Sequence, residues 1–311
     1  IAQDIFNMVE EKKKLVYILS RGRTIYSTKR LYDEALEFGY DVKVIDYLKC
    51  TLDIVKGKRV INYNGNTLIK PDAIIPRIGA SRTFYGNAVI RQFESMGVFS
   101  TTSSLALTRS RDKLRSVQSL SRVVDIPKTV FASNKSSSKD VIELAGSTPL
   151  IMKVLEGTQG KGVVLVDSEL SAKSVLDAFN GLDVNILIQE FIKEANGEDI
   201  RVFIVGGKVV GAMKRTAKSN EFRSNLHQGG IATIHKLTRK EKSTAINAAK
   251  AMGLSICGVD IISSKRGPLV LEVNSSPGLE GIEKSTGVNI AKEIMLYIEH
   301  SLKLKSKLKR K

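Results

Sequence analysis

Only two cysteines, Cys50 and Cys257, occur in 311 residues, and each stands beside apolar sequence far from the other. That scarcity excludes a disulfide framework and a cysteine metal knuckle, and it suits a reducing, cytoplasmic setting. Histidine is nearly as rare. His227, His235 and His300 form no i, i+4 pair, which argues against a histidine-rich zinc site. Aromatic residues make up 6% of the chain and do not interleave with basic ones, so stacking surfaces for single-stranded nucleic acid are not expected. No apolar run approaches the ~18 residues of a membrane span. Residues 1–14 carry acids within their apolar part and no cleavage-like pattern, and the missing initiator Met suggests a trimmed or partial start.

Acidic charge is also in deficit. Forty-nine Lys and Arg against 32 Asp and Glu leave a net charge of +17, which favours anionic partners such as nucleic acid, acidic peptide or phosphate. Lys303, Lys305, Lys307, Lys309, Arg310 and Lys311 concentrate part of it in a tail that reads as a frayed, solvated end or a phosphate-binding arm. Length and composition suit two or three packed units of a globular protein.

The chain opens with alternating strands and helices: strands over 15–20, 41–46 and 71–76, helices over 28–38 and 85–96, and a hairpin over 58–69 about Asn64-Gly65. This is an open α/β unit to about residue 108. One helix is expected over 111–123. Strands over 129–132, 150–155, 163–166 and 186–190 follow, with helices over 139–145 and 169–179. A last unit holds strands over 200–205 and 209–214, a polar loop over 215–230, a helix over 239–252, a hairpin and a closing helix over 287–302.

That hairpin is the most informative stretch. Two apolar runs, 258–263 and 269–274, flank the turn-rich SKRGP. Folded symmetrically about Arg266, it sets Asp260 opposite Glu272, with Asn274 on the same face by alternation. Facing carboxylates repel unless a cation lies between them, and two carboxylates plus an amide oxygen suit Mg²⁺. Two solvated acids on an open sheet face are the alternative.

A second feature is EGTQGKG, joining two strands with Gly157, Gly160 and Gly162. Glycines here permit a phosphate-covering loop, although a plain β-turn has the same composition. A P-loop is excluded because Val163-Val164 follows the last glycine, and the dinucleotide fingerprint because a strand follows. The protein-kinase glycine loop lacks its HRD and DFG companions. Lys153 interrupts an otherwise apolar strand and needs an anionic partner, either a structural carboxylate or a nucleotide phosphate. Lys113 is a candidate for a second such charge. Glu190, Phe191 and Ile192 end a strand where an adenine could pack, and Asp199 is a plausible ribose acceptor.

Taken in order, LSRGRTIYSTKRL, IPRIGASRTFYG, RDKLRS, KVLEGTQGKGVVL, QEFIKEANGEDIR, FRSNLHQGG, GVDI and LVLEVNSSPGLEGIEKSTG resemble the RimK-type glutamate ligases of the ATP-grasp carboxylate–amine ligase family over about residues 15–298. The resemblance implies an α/β fold, α+β in its ATP-grasp part, with a Rossmann-like pre-ATP-grasp domain over 15–108. A central domain over 109–192 and a C-terminal domain over 193–301 would follow, flanked by an N-terminal extension (1–14) and the basic tail (302–311). It further implies ATP bound by Lys113, Lys153, the glycine loop, Glu190, Phe191, Ile192, Asp199, Arg223, Ser224 and Asn225. Asp260, Glu272 and Asn274 would hold Mg²⁺ or Mn²⁺, two ions in all, with Arg215, Arg223 and Asn225 serving catalysis. The implied partners are L-glutamate and the C-terminus of a ribosomal small-subunit protein, without a membrane, in a homo-oligomer such as a tetramer. Relatives of the fold add glutamate to a small cofactor or an amino acid to a carrier protein. An inactive basic ribosome- or nucleic-acid-binding module is a further alternative.

Overall fold

Short β-branched runs bounded by turn residues form strands rather than helices. In the computed structural model, which describes residues 13–133, 135–155, 162–180, 185–217 and 230–308, they assemble into four sheets. The first unit runs β1 (Leu15–Leu19), α1 (Tyr26–Glu37), β2 (Asp41–Ile45), β3 (Cys50–Val55), β4 (Lys58–Tyr63), β5 (Asn66–Thr67), β6 (Ala73–Pro76), α2 (Thr83–Ser95) and β7 (Phe99–Ser100). Its parallel sheet has the order β2-β1-β6-β7, and β3-β4-β5 form a separate antiparallel meander. The expected hairpin is present, with Asn64 and Gly65 both at positive φ, as a two-residue turn of this kind requires. Strand β3 is an addition to the sequence reading. Its Ile54 and Val55 are exposed, so its alternation carries little core signal.

The helix expected over 111–123 is the shorter α4 (Lys113–Leu120), and α3 (Ser104–Arg111), which the sequence reading did not include, precedes it. Asp112 between them is extended, and its carboxylate accepts the Arg115 N–H at 2.9 Å. An aspartate that caps a new helix ends the old one, and this break directs Arg111 and Lys113 separately.

The second unit consists of β8 (Thr129–Ala132), α5 (Ser138–Ala145), β9 (Leu150–Val154), β10 (Val163–Val166), α6 (Glu169–Asn180) and β11 (Ile186–Glu190), in the antiparallel order β10-β9-β11-β8. It has its own core, in which Leu150, Met152 and Ile188 pack on Ala172 and Leu176.

The third unit runs β12 (Glu198–Val205), β13 (Lys208–Thr216), β14 (Ile231–Ile234), α7 (Arg239–Met252), β15 (Ile256–Ser264), β16 (Gly267–Asn274), α8 (Glu280–Thr286) and α9 (Ile290–Leu308). Its sheet order is β14-β13-β12-β15-β16. One face packs Val202, Ile204, Val259 and Ile261 on Ala245, Ala248 and Met252 of α7, a helix started by a Thr238–Glu241 capping box. The other face is divided. At one end Phe203, Val205 and Met213 share a core with Val16, Ile18 and Leu31 of the first unit and Ile294, Met295 and Ile298 of α9. At the other end it carries charge.

Helix α9 continues through Leu308, so Lys303, Lys305 and Lys307 ride on a helix where the sequence suggested a frayed end or a phosphate-binding arm. Lys305 donates to the Gly97 carbonyl. Upstream, the Glu299 carboxylate accepts from Lys14 Nζ at 2.7 Å and from the Tyr40 hydroxyl at 2.7 Å. The hydrogen bond from Lys14, with that from Tyr40, holds it at about 2, below its ordinary 4.5. A depressed carboxylate stabilises the fold above its unfolded pKa and loses that contribution as pH falls through the folded value. Glu299→Gln is therefore expected to lower stability at pH 7 by at most about 1 kcal/mol, the group being largely solvated. The gap from wild type should close between pH 4.5 and about 2 in denaturant titrations. No helix among the described residues is long and apolar enough to cross a membrane.

Candidate active site

The β15–β16 hairpin sets Asp260 against Glu272 in register, and Gly258 against Asn274. The route differs from a symmetric fold about Arg266. The turn pairs Ser264 with Gly267, so its centre falls between Lys265 and Arg266, and a bulge at Leu271 then brings Glu272 opposite Asp260.

Repulsion between the two acids is met by arginines from neighbouring strands. Arg201, the register partner of Asp260 on β12, binds it bidentately, Nε to Oδ1 and Nη2 to Oδ2, the latter at 2.5 Å. Arg215 on β13 donates Nη2 to Asp260 Oδ2 at 2.8 Å, and Nε and Nη2 to the two oxygens of Asp199 at 2.6 Å each. Asp199, Arg215 and Asp260 are all buried. Burial alone would raise the Asp260 pKa, but the flanking Arg201 and Arg215 outweigh it and bring it down to about 2. Burial likewise opposes the charge on Arg215, and Asp260 with Asp199 more than restores it.

Glu272 is the contrast. Its side chain is exposed, yet protein surrounds it, as in the wall of a cleft. Desolvation and then Asp260 push its pKa up. Asn274 Oδ1 accepts the Ser276 N–H at 2.9 Å, closing the loop after the strand. The described residues contain no cluster of three or more His, Cys, Asp or Glu side chains. The donor set nevertheless fits a hard divalent ion, which needs only one or two carboxylates when substrate phosphates complete its shell. Glu272 has open oxygens, and Asp260 Oδ1 accepts a single bond, leaving a lone pair.

Facing this hairpin is β9. Lys153 Nζ donates to Gln189 Oε1 at 2.6 Å, and Gln189 donates in turn to Thr129 Oγ1 at 2.9 Å. Burial lowers the Lys153 pKa, Glu272 partly restores it, and Lys113 lowers it further. Lys113 Nζ donates to the carbonyls of Val154 and Leu155 at 2.9 and 3.1 Å, at the base of the glycine segment. Gly162, where that segment returns, has φ +74, and a Cβ there would lie 3.3 Å from the Val154 Cβ, so glycine is the residue that fits. Gly157, Gly160, Arg223, Ser224 and Asn225 lie outside the described residues.

Glu190, Phe191 and Ile192 carry the chain from the second unit to the third. Glu190 accepts the Lys128 N–H at 2.7 Å and the Arg266 guanidinium of the hairpin turn, and the Arg266 bond lowers its pKa. The Phe191 N–H donates to the Pro149 carbonyl at 3.3 Å. Ile192 packs on Ile262 and Leu269.

Three arginines enter this site that the sequence reading did not assign to it. Arg201 sits mid-strand in EDIRVFIV, where its phase with Asp199 was the available signal. Arg77, just past β6, donates Nη2 to the Pro277 carbonyl at 2.8 Å, and burial beside Arg111 lowers its pKa to about 10. Arg111 donates Nη2 to the Ile78 carbonyl at 2.8 Å. Burial lowers its pKa and Glu272 opposes that shift. Its buried Nε has no partner among the described residues, and neither have the hydroxyls of Ser275 and Ser276. Buried polar atoms of this kind ordinarily find a partner in protein, water or ligand. Cations outnumber carboxylates here, so the cleft favours an anion.

A family model described as a RimK PreATP-grasp domain matches residues 15–107, and one described as a RimK-like ATP-grasp domain matches residues 110–298. A relative from Vibrio atlanticus named "Probable alpha-L-glutamate ligase" is 57% identical over 289 residues, covering 93% of this chain and 96% of its own. "Probable alpha-L-glutamate ligase 2" from Shewanella denitrificans is 55% identical over 292 residues, covering 94% and 97%. Among solved structures, that of the ATP-grasp ligase PsnB complexed with minimal precursor is similar with a TM-score of 0.72 and 18% identity, over 93% of this chain and 99% of that one. At that identity the likeness is one of fold.

Proposed function

The chain belongs to the RimK-like ATP-grasp family of ATP-dependent carboxylate–amine ligases, and from that premise we propose that it adds L-glutamate to the C-terminal carboxylate of a ribosomal small-subunit protein. An oxygen of the acceptor carboxylate attacks the γ-phosphorus of ATP, forming an acyl phosphate and releasing ADP. The amine of glutamate then attacks the acyl carbon, an amide bond forms, and phosphate leaves. Both steps shift negative charge among oxygens, so fixed cations carry the catalysis.

In this reading Lys153 and Lys113 hold phosphate oxygens, and Gly157, Gly160 and Gly162 contribute to phosphate binding. Glu190, Phe191 and Ile192 border the adenine, with Asp199 near the ribose. Arg223, Ser224 and Asn225 contribute to nucleotide binding, and Arg215 keeps Asp260 ionised. Arg111 Nε, with Arg77 beside it, orients a substrate carboxylate. A divalent ion held by Asp260, Glu272 and Asn274 supplies neutralisation of the terminal phosphates when bound.

The observation that carries the reading is that Lys153 and Arg111, the latter with a partnerless Nε, both act on Glu272 electrostatically, and Glu272 stands opposite Asp260. The names of the relatives support glutamate as the amine, and the basic charge suits an acidic, growing product. Incubation with ATP and labelled glutamate, with and without ribosomal protein, tests it. Label is expected in one small-subunit protein, released by carboxypeptidase. Label entering only a small cofactor would reject the acceptor.

A further inference from the structure

A groove of 690 Å³ opens on the first unit. Five consecutive residues of β2 and its end, 42–46, line it, so the strand meets the groove along its backbone edge rather than with one face. Strand β2 is the edge of the parallel sheet and pairs, among the described residues, with β1 alone. Asp41 N donates to the Lys14 carbonyl, and the Ile45 carbonyl accepts from Ser20 N. Alternation then turns the peptide groups of Val42 and Val44 outward.

The open edge is bordered by Arg21, Arg23, Lys43 and Lys49. None of the four has an ion pair among the described residues. Arg23 is held at the rim with its guanidinium 3.8 Å from the centre of the Tyr32 ring. Asp46 is the one acid in the lining, and its carboxylate already accepts the Leu48 N–H at 3.1 Å. Edges are ordinarily blunted or covered, and this one has peptide groups without partners among the described residues, within an anion-attracting channel.

We infer that the groove takes an extended acidic peptide segment of the acceptor protein, added to β2 as a further strand; this rests on reading the chain as a protein-extending ligase. Main-chain hydrogen bonds to Val42 and Val44 provide the pairing, and acidic side chains at alternate positions meet the four cations. The groove also adjoins the site. Ser20 lines it, the neighbouring Leu19 carbonyl accepts the Arg77 N–H at 2.9 Å, and Arg77 reaches Pro277, three residues beyond Asn274.

The test uses the full chain saturated with ADP and fluorescein-labelled hexaglutamate, read by anisotropy. Wild type is expected to bind with an affinity that falls as salt rises. The double variant Lys43→Glu, Lys49→Glu should bind at least ~10-fold more weakly with ADP affinity unchanged, the loss of two cation contacts reversed in sign. Hexaglutamate N-methylated at every residue should bind weakly to wild type, because neither edge then offers N–H groups to the Val42 and Val44 carbonyls. In the ligase assay the double variant should raise KM for the protein acceptor and leave kcat nearly unchanged. Equal binding by the double variant, or by the methylated peptide, overturns the proposal. So does a wild-type dimer in sedimentation that the double variant dissolves, since the edge would then pair with a second copy. Hexaglutamate binding as described, with no glutamate transfer to protein, would overturn the ligase reading and support the groove as an acidic-peptide site.

Discussion

Glu272→Ala is expected to reduce ADP release in the presence of glutamate by at least ~100-fold, the scale of losing one group that stabilises developing charge. The reason lies in how the two facing acids differ. Asp260 is clasped by Arg201 and Arg215, which depress its pKa to about 2 and leave it one lone pair on Oδ1. Glu272 keeps its oxygens open toward the cleft, and burial with Asp260 beside it raises its pKa. A carboxylate with a raised pKa binds its proton more tightly when folded, so its contribution to stability is lost as pH rises above the unfolded value near 4.5. The alanine variant should therefore be no less stable than wild type at pH 7 while nearly inactive. Turnover close to wild type would reject Glu272 as a metal ligand, and a fall in melting temperature would reject the account of its strain.

Arg215→Ala is expected to act in the opposite way on stability. Arg215 is 4% exposed and is the shared donor to Asp199 and Asp260. Its removal leaves two buried carboxylates with Arg201 as the remaining guanidinium on Asp260. Breaking a buried pair by deleting one partner costs about 3–5 kcal/mol, corresponding to a melting temperature lower by roughly 10 °C. Arg215→Lys should recover part of this, since a lysine keeps the charge and loses the fork. An alanine variant that melts with wild type would mean that the carboxylates become protonated or solvated without cost.

The hairpin was legible because its turn residues and two apolar runs fix which positions can oppose each other. Asp260 and Glu272 could be placed face to face from residue spacing alone. The bulge at Leu271 could not, since nothing in VLEVN distinguishes an extra residue from regular alternation. Arg201 escaped for a related reason: one charge within an apolar strand reads as noise until its partner on another strand is known, and that pairing spans 59 residues. Arg77 and Arg111 are brought in by the packing of the first unit on the third, which depends on shape rather than local pattern. The helix break at Asp112 had a local signal, an N-cap residue, but it lay inside a longer run of helix-compatible residues. The glycine segment and the FRSN stretch carry the strongest motifs, and most of their residues lie outside the described ones.

The way apolar side chains are shared has a mechanical consequence. Residues of the first sheet, the third unit's sheet and α9 interlock in a single cluster, whereas the lobe carrying Lys153 keeps its hydrophobic interior to itself. The first and third units are thus joined through one core, and the second meets the third where Glu190 binds Arg266. Any widening between the second and the third would part Lys153 from Glu272 and keep the carboxylates with their arginines, since those all sit on one sheet.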